Sequence, residues 1–122
     1  VTAYLDDPEA QERVQARLRE LEEAAREQAK ADLGAVLMTP AGRRFFWGLL
    51  VRAQVFSAQL SPDGMQAAHF EGRRALGVQL MTDAQDQHPQ LYVLGLEEAL
   101  QRAQEDAQQR RAIEGSEGTS DV

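Results

Sequence analysis

A chain of 122 residues is the size of one domain or less, and a formal net charge of -7 disfavours generic binding to nucleic acid or to an anionic membrane surface. The absence of cysteine excludes disulfides, thiolate catalysis and cysteine-ligated zinc or iron–sulfur sites. Hydrophobic residues are 43% of the chain but aromatics only 6%, so the core is small and an oligomeric or docking surface is expected to complete it.

Ala, Leu, Glu, Gln and Arg dominate and β-branched residues are scarce, which predicts an all-α protein, an antiparallel bundle of about four helices. The first helix is expected to start at Asp7 as N-cap with Pro8 in its first turn, and to run to about Met38. Its first half carries Val14, Leu18, Leu21 and Ala25 at heptad spacing. The second helix starts from Thr39 as N-cap with Pro40 behind it and extends to about Phe56. Its apolar residues, among them Phe45, Phe46, Trp47, Leu50, Val51 and Val55, go all the way round. A helix apolar on every side is central or is covered by a partner, and a four-helix chain cannot easily surround one of its own. Residues 57–64 read as a loop with the turn residues Ser61, Pro62, Asp63 and Gly64. The third helix covers about Met65 to Asp86, and the fourth follows His88 and Pro89 to about Ile113 with a second heptad seam of Val93, Leu96, Leu100, Ala103 and Ala107.

In an up-down-up-down arrangement the polar halves of the first and fourth helices project from the same end, so their seams are expected to pair as a two-helix stalk. The division that follows is residues 1–31 as the polar stalk part of the first helix, 32–100 as the helical core, 101–113 as the stalk part of the fourth helix, and 114–122 as a disordered acidic tail. Interior glycines at positions 34, 48, 72, 77 and 95 each cost about 1 kcal/mol against alanine, and they point to close helix–helix approach.

No catalytic or metal site emerges, and no cofactor is expected. His69-Phe70-Glu71 has half of a zinc-deaminase pattern without the cysteines it needs. Gly72 and Gly77 have phosphate-loop spacing, but Val78 and Gln79 follow where lysine and a hydroxyl residue are required. Asp83 and Asp86, with Asp32 or Glu97, are spaced as a divalent-cation site would want, but an ordinary solvated helix end is the simpler account. The expectation is that the protein is not an enzyme.

The informative feature is a pair of doubled arginines, Arg43-Arg44 and Arg73-Arg74, set in the apolar stretches. Charged side chains are rarely buried unless paired, so these four must meet carboxylates, helix C-termini, a partner or a polyanion. Intramolecular pairing is one account, with Arg73 or Arg43 joined to Glu71, Asp32 or Glu97. The structural ion pair expected from it is Arg73 with Glu71. The sharper account places Arg43, Arg44, Phe46, Trp47, Val51 and Arg74 against a partner protein, since interface hot spots combine Trp and Arg.

The string Thr39-Pro40-Ala41-Gly42-Arg43-Arg44-Phe45-Phe46-Trp47, then Phe70-Glu71-Gly72-Arg73-Arg74, Leu76-Gly77 and Pro89-Leu91-Tyr92-Leu94, resembles the small virion-associated proteins of short-tailed bacteriophages, a family first described from a Bordetella phage. The resemblance covers roughly residues 32 to 100. Phe70 stands where the family often has Asn, and the loop around Ser57 to Gly64 and much of the first helix depart from the pattern. The resemblance implies a non-enzymatic structural protein of the virion, assembled in the bacterial host cytoplasm. An acidic, oligomer-prone helical chain suits the portal vertex, the head–tail junction or an internal ejection core, with portal or internal core proteins and further copies of itself as partners. Nucleic acid and membrane are not expected partners. The competing reading is a nucleic-acid-binding or DNA-packaging accessory protein using the Arg-Arg motifs, and a third is a transient assembly scaffold.

Overall fold

The computed structural model describes residues 7–56 and 64–120, with side chains as far as Ser116. Among the described residues there are four helices and no strand: α1 (Pro8–Leu37), α2 (Pro40–Arg52), α3 (Gly64–Gln87) and α4 (Pro89–Ser120). This is the all-α helical architecture that the composition predicts. The turn expected over residues 57–63 lies outside the described residues, as do the last two residues of the expected tail.

The helix starts follow from local chemistry. The Asp7 carboxylate accepts from the Glu9 amide at 3.0 Å, and the Thr39 hydroxyl accepts from the Gly42 amide at 3.0 Å with Pro40 in the first helical turn. Only Met38 and Thr39 separate α1 from α2. That turn is so tight that a Cβ on Gly42 would run into the Val36 carbonyl oxygen. His88 alone separates α3 from α4, and Pro89 opens α4 where no amide partner is needed.

Two helix ends differ from expectation. α2 stops at Arg52 instead of continuing to Phe56. Gln54 takes a left-handed conformation (φ 58°), its amide donates to Val51 O at 3.0 Å and the Val55 amide donates to Leu50 O at 3.3 Å. This is a Schellman ending, and the residues at the two ends of the motif, Val55 and Leu50, are buried at 7% and 0% exposure. Sequence reading missed it because the left-handed position holds glutamine and not the usual glycine. At the other end, α4 continues past Ile113 to Ser120, so most of the segment expected as a disordered tail is helical backbone. Once a helix is nucleated, each further residue adds a hydrogen bond for little additional ordering.

The chain divides into two units, residues 1–33 and 34–122. In the first, the described part is a helix whose side chains are exposed except for half-buried Ala10 and Leu33. Its seam stands open, with Val14 43%, Leu18 47% and Leu21 63% exposed. In the second unit, α2, α3 and α4 pack pairwise on one another, and the end of α1 contributes Gly34 and Leu37 to the interior. The core is Leu37, Phe46, Leu50, Val55, Phe70 and Ala84. Beyond it, Leu100 and Ile113 of α4 are more than half exposed.

Candidate partner-binding surface

The two Arg-Arg motifs are built differently. Arg43 lies in the first turns of α2 on the side facing the core, and it is 7% exposed. Its Nε and one terminal nitrogen donate to Glu98 Oε1 at 2.9 and 2.8 Å, and the other terminal nitrogen donates to Leu37 O at 2.9 Å. One guanidinium thereby holds the last turn of α1, the start of α2 and the middle of α4. The planar fork allows this, because its donors point in fixed, divergent directions. Gly95 of α4 gives the stem its room: a Cβ there would sit 3.8 Å from Arg43 Cβ and Cδ. Arg43 is thus a structural residue and is removed from the expected partner-binding set. Its carboxylate is Glu98 and not Glu97, Glu71 or Asp32.

Phe46 is also core, at 5% exposure, and leaves that set for the same reason. Trp47 is half-buried, with its ring against Phe56 at 5.5 Å and Tyr92 at 5.9 Å between centroids. The remaining expected residues are accessible: Arg44 and Val51 (57%) are exposed, and Arg74 is half-buried. The expected Arg73–Glu71 ion pair does not form among the described residues, and both side chains are exposed. The reason is helical geometry, since residues two apart project to different sides.

The glycines sort the helix sides in the same way. A Cβ on Gly77 would meet Val55 Cγ2 at 2.5 Å and Ala53 Cβ at 2.6 Å, so α3 is notched where the end of α2 lies on it. A Cβ on Gly34 would meet the His88 ring at 2.8 Å. Close approach is therefore correct at these two positions. Gly48 and Gly72 meet nothing within 4 Å, so the chain's own packing does not call for them. Both lie on outward sides, Gly48 among Arg44, Phe45, Val51 and Arg52, and Gly72 among Met65, His69, Arg73 and Leu76.

Between the end of α2 and the middle of α3 runs a groove of about 280 Å³, lined by Leu49, Arg52, Ala53, Arg73, Leu76 and Leu80 together with Gly77. It is continuous, through Arg73 and Leu76, with a shallow apolar stretch of α3 that includes Met65 and Ala68. Phe45 (62%), Leu76 (64%) and Met65 (75%) are exposed beside it. Arg44, Arg52, Arg73 and Arg74 have no ion-pair partner among the described residues. Residues 40–81 carry five arginines and two acids, a net +3 in a chain whose total is -7, which leaves -10 for the rest. The surface is apolar with a cationic rim, and sequence reading missed Arg52 as part of it. Its signal was present: Phe45, Leu49 and Arg52 recur at helical spacing on one side.

Among the described residues no three His, Asp or Glu side chains are grouped to hold a metal ion. Asp83 accepts from Gln79 Nε2 at 3.0 Å and Asp32 from Gln28 Nε2 at 2.9 Å, each within its own helix. No helix among the described residues is long and apolar enough to cross a membrane.

Residues 33–94 match the family described as Bbp19-like phage protein. The chain belongs to that family. The matched segment holds Arg43, its Leu37 acceptor, both Arg-Arg motifs and the whole α2–α3 groove, while Glu98 and residues 8–32 of α1 fall outside it. The family, named after a protein of a Bordetella phage, agrees with the resemblance carried by the motifs. No curated protein and no solved structure matches the chain.

Proposed function

We propose that this Bbp19-like protein is a non-enzymatic structural component of the phage virion, present in several copies and bound to other virion proteins at the portal vertex, the head–tail junction or an internal ejection core. The observation that carries this reading is the α2–α3 surface, apolar at its centre with Arg52 and Arg73 in its lining and Arg44 exposed elsewhere on α2, within the segment that defines the family. Apolar groups flanked by arginine favour a protein partner with exposed carboxylates, where bidentate Arg–carboxylate pairs set orientation. The acidic balance of the chain supports this choice over packaged DNA. The test is quantitative mass spectrometry of purified particles with chemical cross-linking. A fixed multi-copy stoichiometry and cross-links from the α2–α3 surface to one virion protein are the expected result. Presence in procapsids but absence from mature particles would identify an assembly scaffold instead.

The DNA-binding alternative draws on the same arginines. It requires a gel shift that weakens steeply with salt and is lost in Arg44→Ala/Arg73→Ala, exposed positions that leave the Arg43 pair intact.

A further inference from the structure

We infer that the α2–α3 groove receives helix α1 of a second copy, so that copies join head to tail. The inference rests on the multi-copy reading above and names the self-contact within it. The groove is cationic and apolar. Arg52 and Arg73 stand at its rim without ion-pair partners among the described residues, and Leu76 in its wall is 64% exposed. Two such grooves facing each other would bring arginines together, which costs rather than stabilises. The complementary surface on a second copy must therefore be a different one, and the contact is heterologous.

That complementary surface needs apolar side chains on an acidic helix. Residues 8–33 of α1 carry seven acids against five bases and an open stripe of Val14, Leu18 and Leu21, with Glu22 on one flank and Arg17 on the other. The outer half of α4 is acidic too, but its seam beyond Leu100 consists of Ala103 and Ala107 and offers less apolar area. Helix α1 is thus the segment that gives the groove both burial and charge. Seating it satisfies two open surfaces with one contact, and a heterologous contact repeats until it closes as a ring or runs on as a filament.

The test uses two variants of the full chain. Leu18→Gln/Leu21→Gln removes the stripe but keeps good helix formers, and Arg52→Glu/Arg73→Glu reverses the rim. All four positions are exposed or at the groove edge, and circular dichroism checks that each variant keeps its helix content. Sedimentation velocity over a concentration series reads the mass. Wild type is expected to grow beyond a dimer, and each variant alone to stay at the 13.5 kDa of the monomer. An equimolar mixture should form a one-to-one complex of twice the monomer mass that grows no further, because it contains one intact groove and one intact α1. A rim variant that still dimerises alone would show α1 pairing with α1 and overturn the inference. So would a mixture of folded variants that stays monomeric, or a wild type that is monomeric throughout. The virion stoichiometry test proposed above is independent of these outcomes, so a protein present in several copies yet monomeric in solution would end this inference and leave the structural role standing.

Discussion

The two sides of α2 use the same residue types for opposite purposes. Arg43, Phe46 and Leu50 face inward and are at most 7% exposed, whereas Arg44, Phe45 and Val51 face outward, with Phe45 and Val51 at 62% and 57%. The inward arginine has three hydrogen-bonding contacts, while its neighbour has no ion-pair partner among the described residues. Burial alone separates them. A charged group is admitted to the core only where acceptors already wait for it, here a carboxylate on α4 and a carbonyl at the end of α1. The outward set repeats the chemistry without an ion-pair partner for Arg44 among the described residues, and the proposed partner protein would supply one.

Substitutions along α2 and its contacts should break this contrast in a graded way. Trp47, the single tryptophan, stacks on Phe56 and lies tilted against Tyr92, so its fluorescence during urea unfolding reports the unit of residues 34–122. Leu50→Ala should have the largest effect, a loss of about 3–5 kcal/mol, because Leu50 is 0% exposed and α2, α3 and α4 cannot all close on the space left. Arg43→Met should cost about 2–3 kcal/mol. It leaves the Leu37 carbonyl and the Glu98 carboxylate unsatisfied, although Glu98 at 26% exposure recovers some hydration. Gly77→Ala should cost about 1–3 kcal/mol through overpacking against Val55 and Ala53. Gly48→Ala, with nothing within reach of the new methyl, should stabilise the isolated chain by up to about 1 kcal/mol. A loss of stability in the isolated chain would mean that the outward side of α2 is not free. Gln54→Gly should add about 1 kcal/mol by relieving the left-handed backbone, and it also removes a buried side-chain oxygen that has no hydrogen-bond partner. Arg44→Ala should change stability by less than about 0.5 kcal/mol and be visible only in partner binding. A larger stability change would give Arg44 a partner within the chain.

Much of this was legible in the residues themselves. Thr39-Pro40 and Asp7-Pro8 specify helix starts through hydrogen bonds and ring geometry confined to a few neighbours, and the structure has them there. The all-round apolar character of α2 was legible too, and the described residues cover it on one side and leave Phe45 and Val51 exposed on the other. The α2 ending was not legible, because a Schellman turn with glutamine in the left-handed position is held by the burial of Val55 on Gly77, a contact between distant segments. The seams of α1 and α4 were legible as apolar stripes, but a stripe does not name what covers it.

Sequence by itself determined the helices, their starts, the absence of cysteine chemistry and the family motifs, since each depends on residue type and on spacing along a few turns. It also set out four arginines to be placed. Only the tertiary structure decided which arginine found its partner inside the chain. Arg43 and Arg44 are adjacent and chemically identical, and a rotation of about 100° around the helix axis separates a buried bond to Glu98 from an open surface. That choice is made by the register of α4 against α2, where the small Gly95 lets the Arg43 stem lie close, and no local pattern encodes the register of two helices joined through a third.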